Sequence, residues 1–345
     1  MGSDQLTRPA SVEITGEPVR GAAADINVLA LPGIEQLRAM QDGLLSLPPN
    51  ARLTGRRLVE IHDTSVVFSM PISEWLLGPK ATMHPGVLAL LGDSALTAAV
   101  ITVLPPGVLF VTAELSMTFM GEMPGAGGEL VATGSVVQVD GQHGLATAEI
   151  RGPDHRLLGF GTSRVFLEPP LDTSGFGPVA PPPEEQAWDT PDPWERPLDG
   201  PVASPTGDPD GPAALAETAA GVRARPPIDR LVGIRLVGAG KGEVTFAMPA
   251  SPWLANEFGM VSGGMLALLA KSATAAAGQA SARSGYTYRA LDVKVNFLRG
   301  VPPDGADIVA VGRMTHRGRL TVASAEVRHK GRLVALATGT TVLGK

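Results

Sequence analysis

Val66-Val67-Phe68-Ser69-Met70-Pro71 returns 178 positions later as Val244-Thr245-Phe246-Ala247-Met248-Pro249. The register holds outward in both directions. Downstream, Trp75-Leu76 falls on Trp253-Leu254, Leu88-Ala89-Leu90-Leu91 on Leu266-Ala267-Leu268-Leu269, and Ser94-Ala95 on Ser272-Ala273. Phe119 and Pro124 meet Phe297 and Pro302, and after a one-residue deletion Ala148-Glu149-Ile150 meets Ala325-Glu326-Val327. Upstream, Gly33 meets Gly211, Pro48-Pro49 meets Pro226-Pro227 and Leu53 meets Leu231. A period this long lies far outside the roughly 20–50 residues of solenoid repeats. The chain is therefore one domain duplicated, and every position in one copy has an internal control in the other.

Each copy predicts the same order of elements. Two extended segments (56–61 and 64–71; 233–238 and 242–249) precede an Ala/Leu-rich helix (85–102; 263–281). Four strands follow at 108–120, 128–139, 144–152 and 156–167, with counterparts at 287–299, 306–316, 320–329 and 332–343. Val111-Thr112-Ala113-Glu114-Leu115-Ser116-Met117 alternates with period two, the mark of a strand with one packed face. The helix is apolar nearly all round, which predicts burial with the sheet curled about it. Gly141 and Gly318 are expected to supply hairpin turns. Ile34, Leu37, Met40, Leu44 and Leu45 predict a helix over 33–46 that Pro48-Pro49 stop, and an Ala-rich helix is expected over 212–224.

Composition sets the domain plan. Residues 1–30 are small, polar and expected loose; 31–168 form domain 1; 169–210, rich in Pro, Asp, Glu and Gly, form a linker; 211–345 form domain 2. The chain's 345 residues are enough for two cores. An open sheet edge on each unit predicts that the two pair within the chain, and further association into a homo-oligomer stays open. Without a leader pattern or a run of 18 apolar residues, the expectation is a soluble cytoplasmic chain that engages no membrane.

The lack of cysteine excludes disulfides and thiolate chemistry. Six histidines without ligand spacing argue against a metal site. The net charge of −6 hides an asymmetry: residues 221–345 hold 17 Lys and Arg against 7 Asp and Glu. On charge alone a solvated basic surface balanced by the acidic linker explains this better than an anionic ligand does. Nucleic acid fits poorly, because Trp and Tyr are scarce and no recognition module is present. Gly238-Ala239-Gly240-Lys241-Gly242 imitates a phosphate loop but reads as a β-turn, since no Ser or Thr follows the Lys.

Before its long helix the second copy reads Asn256-Glu257-Phe258-Gly259-Met260-Val261-Ser262-Gly263-Gly264. The first has Met83-His84-Pro85-Gly86, then Asp93 nine residues after His84. These stretches resemble the hotdog-fold acyl-CoA thioesterases, in particular the phenylacetyl-CoA-thioesterase-like branch. There, Asn-x-x-Gly-x-x-His-Gly-Gly precedes the buried helix and a carboxylate follows nine residues after the His. The likeness covers nearly the whole chain outside the first 30 residues and the linker. It implies an α+β tandem double hotdog that hydrolyses an acyl-CoA thioester, with coenzyme A entering as part of the substrate and no separate cofactor.

The resemblance also implies a site between two units. One unit gives an Asn and the N–H of the first helix Gly, which polarise the thioester carbonyl; the other gives a carboxylate, a hydroxyl one turn on and a Ser or Thr on the next strand. The chemistry makes sense, since a helix N-terminus offers unpaired N–H groups and a positive dipole end to an oxygen gaining charge. The carboxylate attacks the carbonyl or activates water. Here the donor half is intact in copy two, as Asn256 and Gly263, while copy one has Gly78 and Pro85. Proline has no N–H to give. The carboxylate half is intact in copy one, as Asp93, Thr97 and Thr112, while copy two has Lys271, Ala275 and Ala290. The losses are complementary and predict one composite site, built from Asp93, Thr97 and Thr112 with Asn256 and Gly263. Arg299, Arg317 and Arg319 are candidates for the coenzyme's phosphates, supported by the basic excess of this half.

Each residue also has a structural reading. Gly263 suits any close helix–sheet approach, Asn256 suits a turn, and Thr97 and Thr112 gain weight only from the alanines opposite. Lys271 reads as a snorkelling lysine and His84 as a structural remnant. Asp93, set among Leu90, Leu91 and Ala95, is costly to bury without a task. The alternative function is a non-catalytic acyl-CoA or acyl-ligand binding protein with degenerate sites. A hotdog hydratase fits less well, since no Asp-x-x-x-x-His pair opens a buried helix.

Overall fold

The strand expected over 287–299 is broken at Leu291, and this break marks where the two halves meet. The computed structural model describes residues 13–183, 188–199, 211–240, 242–282 and 286–344. The first unit comprises α1 (Gly33–Gln41), α2 (Pro49–Thr54), β1 (Arg57–Ile61), β2 (Ser65–Pro71), α3 (Gly86–Ile101), β3 (Phe110–Phe119), β4 (Glu129–Asp140), β5 (His143–Arg151) and β6 (Leu157–Leu167). The second comprises α4 (Pro212–Ala219), α5 (Pro227–Val232), β7 (Arg235–Ala239), β8 (Glu243–Pro249), α6 (Gly263–Gln279), β9 (Thr287–Ala290), β10 (Asp292–Phe297), β11 (Asp307–His316), β12 (Leu320–His329) and β13 (Arg332–Gly344). The fold is α+β, a double hotdog.

All strands join one antiparallel sheet in the order β1-β2-β4-β5-β6-β3-β10-β13-β12-β11-β8-β7, with β9 on β13. The central pairing, β3 with β10, sets Leu115 opposite Val295 and Met117 opposite Val293, so the open edge of each unit is closed by the other. Both long helices are buried along nearly their whole length, as their all-round apolar sequence requires. Small residues let backbone touch backbone: a Cβ on Gly134 of β4 would lie 2.1 Å from the Ala95 carbonyl oxygen of α3, and one on Gly312 of β11 2.2 Å from that of Ala273 in α6. The two helices also pack on each other. Gly264 sits against the Leu90 backbone and Gly86 against Leu268, so the start of each helix meets the middle of its antiparallel mate. This crossing puts residues of one unit beside the helix N-terminus of the other.

Local readings shift in several places. The first helix ends at Gln41, and Leu44 lies beyond it, 59% exposed. Pro48-Pro49 do more than stop a helix: Pro49 opens α2, where its missing N–H costs nothing, and Gly55 closes α2 at φ +75°. The helix of the second copy stops at Ala219. Gly141 turns its hairpin with φ +53°, whereas Gly318 does not adopt a left-handed backbone. Residues 13–17 lie along the second unit, where Ser251 Oγ donates to the Thr15 carbonyl and Trp253 Nε1 to that of Glu17, and the segment then reaches the first unit, where Gly107 N–H donates to the Leu29 carbonyl. From the 169–210 segment, Arg196 pairs with Glu17 at 2.8 Å. Among the described residues no helix is long and apolar enough to cross a membrane.

Candidate active site

The site begins at the start of α6. Ser262 caps this helix, its Oγ accepting from the Gly264 N–H at 3.2 Å. Asp93, mid-way along α3 and 7% exposed, is brought to that same end by the helix crossing. Gly264 N–H donates to Asp93 Oδ2 at 2.7 Å, and Ser262 Oγ donates to the same oxygen at 3.4 Å. Asp93 Oδ1 is buried and has no hydrogen-bond partner among the described residues.

Gly263 lies directly over the carboxylate. A Cβ there would come within 3.2 and 3.3 Å of the two Asp93 oxygens, tight enough to displace them. The residue is thus glycine because the acid of one unit presses on the helix end of the other. Its N–H occupies the first helical position and bonds no protein acceptor among the described residues. The expectation that Gly263 offers the free N–H is compatible with this geometry, but the N–H that holds Asp93 is the next one, that of Gly264.

Burial raises the Asp93 carboxyl to about 6, and the Glu257 charge pushes the same way; the Gly264 N–H, the Arg56 charge and Ser262 act against it. Arg56 is the nearby buried cation, 8% exposed. It donates through Nη2 to Asn50 Oδ1 at 2.9 Å and through Nη1 to Ser94 Oγ. Desolvation lowers the pKa of this guanidinium, offset by the Glu257 and Asp93 charges.

A cleft of about 450 Å³ opens beside Asp93. Asp93, Thr97, Thr112, Asn256 and Gly263, the five residues expected to form the site, all line it, drawn from both units, and so does Arg299. Their hydroxyl and amide groups are partly committed. Thr97 Oγ1 donates to the Asp93 backbone carbonyl at 2.7 Å, so it holds the helix rather than the carboxylate. Asn256 Oδ1 accepts from the Phe258 and Met260 N–H groups at 3.0 and 3.1 Å, a turn-capping role that leaves its NH₂ for the cleft. At the rim, Phe110 meets Phe258 edge-on with centroids 5.7 Å apart. Of the other phosphate candidates, Arg319 lines the opposite cleft and Arg317 donates to the Ser281 carbonyl. Neither reaches this one.

Behind Thr97 lies an apolar cavity of about 270 Å³, lined by Leu37, Met40, Leu45, Phe68, Ala98 and Ile101 and bordered by Arg56. Sequence reasoning missed Arg56, Asn50 and Ser262. Internal comparison held the signal for the first two, because the second copy has Ile234 and Ile228 at those positions.

The opposite cleft, related by the repeat, is built differently. Pro85 stands for Gly263, Gly78 for Asn256 and Lys271 for Asp93. There His84 Nδ1 faces the Gly86 N–H at 3.2 Å, and its Nε2 faces Lys271 Nζ at 3.1 Å.

The sequence model of the thioesterase superfamily matches residues 80–158 and 258–335, one stretch in each unit. No curated relative matches the chain in sequence. Among solved structures, the tesB protein of Mycobacterium avium subspecies paratuberculosis is similar with a TM-score of 0.51 at 13% identity, over 86% of this chain and 98% of its own. A hot dog fold protein of Alicyclobacillus acidocaldarius has a TM-score of 0.51 at 14% identity, over 84% of this chain and 96% of its own. At such identities these two speak for the fold alone, along the length of both units. The thioesterase superfamily model thus matches the chain twice in tandem, once in each hotdog unit.

Proposed function

We propose that the chain hydrolyses acyl-CoA thioesters at one cleft, the one shared by Asp93 and the N-terminus of α6. The observation that carries this reading is the 2.7 Å bond from Gly264 N–H to a buried carboxylate of the other unit, beside the unengaged N–H of Gly263. The carbonyl oxygen of the thioester lies toward the Gly263 N–H and the positive end of α6, which stabilise the charge it gains. The Asn256 NH₂ orients it. Asp93 Oδ2 stays held, and Oδ1 takes a proton from water as the water oxygen attacks the carbonyl carbon. The C–S bond then breaks, and the proton on Asp93 passes to the departing sulfur. A carboxyl near 6 is mostly ionised at neutral pH yet basic enough for that task. The acyl group enters the apolar cavity behind Thr97, and Arg299 at the mouth meets the coenzyme's phosphates.

Direct attack by Asp93 Oδ1 gives an anhydride instead. A single turnover in ¹⁸O-water tests this course in one direction: label in the Asp93 side chain requires an anhydride that water opens at the Asp93 carbon. The reading as a whole is tested by thiol release from a panel of acyl-CoAs run beside binding calorimetry. Turnover of at least one acyl-CoA is expected. Binding without turnover across the panel would make the chain an acyl-ligand binding protein and overturn the proposal.

A further inference from the structure

The opposite cleft has lost the means of hydrolysis but has not closed. It encloses about 520 Å³, and its charge is inverted: Lys80, Lys271, Arg289 and Arg319 line it against one acid, Glu122. The first cleft sets Arg56 and Arg299 against Asp93, Glu168 and Glu257. At the floor, Lys271 is 5% exposed, a degree of burial that lysine rarely tolerates without a counter-charge. Among the described residues its one hydrogen-bond contact is the neutral ring of His84, at 3.1 Å. Asp229 of α5 acts on it through space but makes no hydrogen bond or ion pair with it among the described residues. An ammonium has three donors, so two remain to be met.

Lys271 and His84 also form the wall between this cleft and a smaller recess of about 90 Å³, lined on one side by Leu215, Leu236, Phe246 and Ala276 and on the other by the buried Asp229 with Arg223 and Arg225. The recess is the repeat of the cavity behind Thr97, reduced to about a third of its size. A buried cation thus stands between a basic mouth and a short pocket whose apolar wall, Leu215, Leu236 and Phe246, has room for a short tail beside Asp229. This is the complement of a small amphiphilic anion. At the mouth, Lys80 lies over the Tyr288 ring at 4.9 Å, and the Arg319 side chain makes no hydrogen bond or ion pair among the described residues.

We propose that the second cleft is a non-hydrolytic anion site that takes a short-chain carboxylate, its carboxylate on Lys271 and its tail in the recess lined by Leu236 and Phe246. The repeat makes the logic concrete. Where the first cleft sets a carboxylate against a reacting acyl carbon, the second sets an ammonium, which suits an acyl group already carrying a negative charge. Because the site is defined by its own charge and shape, it stands whether or not the first cleft hydrolyses thioesters.

Calorimetric titration of the full chain with acetate, butyrate, octanoate, inorganic phosphate and coenzyme A tests this. Butyrate is expected to bind at one site and more tightly than octanoate, which outgrows the recess. Lys271→Met, close in shape but uncharged, is expected to weaken butyrate by at least about tenfold. Ala276→Leu, which fills the recess and leaves Lys271 in place, is expected to weaken butyrate more than acetate. Equal binding by Lys271→Met and wild type would overturn the proposal. So would binding of phosphate or coenzyme A that is tighter than that of any carboxylate and is weakened by Lys271→Met, which would assign a phosphate rather than a carboxylate to this cleft, and so would the absence of binding at millimolar carboxylate.

Discussion

Asp93 in the middle of one central helix accepts a 2.7 Å hydrogen bond from the backbone of Gly264 at the start of the other. One contact therefore ties the two halves of the duplication together and sets an acid against a helix N-terminus. The equivalent pair across the repeat, Lys271 and Gly86, sets an ammonium there instead, with Pro85 in place of a donor. An exchange of charge between symmetric positions, together with the donor lost at Pro85, separates the two clefts.

Activity should follow the Asp93 carboxyl. Burial raises it to about 6, so kcat/KM is expected to fall as the pH drops through about 6, with the slope of one proton, because the protonated acid cannot take a proton from water. A flat profile from pH 5 to 8 would contradict this role.

The same shift bears on stability with a definite sign. The folded pKa lies above the ordinary 3.8, so the contribution of this group is largest below that value and is lost as pH rises through about 6. The loss is about 3 kcal/mol. Asp93→Asn should remove this part of the pH dependence, read as the difference between wild-type and variant urea midpoints at acid and neutral pH. Parallel midpoints for the two proteins would count against burial of the charge.

Ser262→Ala removes both the cap of α6 and one donor to Asp93 Oδ2. The lost cap costs about 1 kcal/mol of stability. Because Ser262 lowers the Asp93 pKa, its loss should also move the acid limb of the activity profile to higher pH. A shift to lower pH would show that the hydroxyl does not face the carboxylate.

Arg56→Met leaves Asn50 Oδ1 and Ser94 Oγ without their donor and removes a cation that favours ionised Asp93. A loss of about 2–4 kcal/mol is expected, together with an upward move of the acid limb. Denaturant melts and the pH profile check the two parts separately. An unchanged melt would contradict the buried network.

The duplication made most of the fold legible. The alignment of Val66–Pro71 on Val244–Pro249, the all-round apolar helices and the alternating strands give the tandem sheet-on-helix plan without coordinates. Complementary losses at Asp93/Lys271 and Gly263/Pro85 point to one composite cleft, and Asp93 and Gly263 line a common cleft. What stayed hidden depends on direction more than residue type. Two adjacent glycine N–H groups are equivalent in sequence; only the extended backbone at Ser262 (φ −57°, ψ 141°) decides that Gly264 turns to Asp93. Arg317 and Arg319 lie in the β11–β12 hairpin region, whose path past the other cleft follows from the sheet order rather than from basic composition. The break at Leu291 follows from tertiary pairing: its carbonyl accepts from the Phe119 N–H of the first unit, and no local pattern announces that.

The most direct measurement is the thiol-release rate of Asp93→Asn at pH 8 with the best acyl-CoA, beside its calorimetric affinity for the same compound. A single Asp93-dependent cleft predicts a fall in kcat of about 100- to 1,000-fold with binding retained. A variant that keeps a third or more of the wild-type rate would mean that hydrolysis occurs elsewhere in the chain, and the single-cleft account would be wrong.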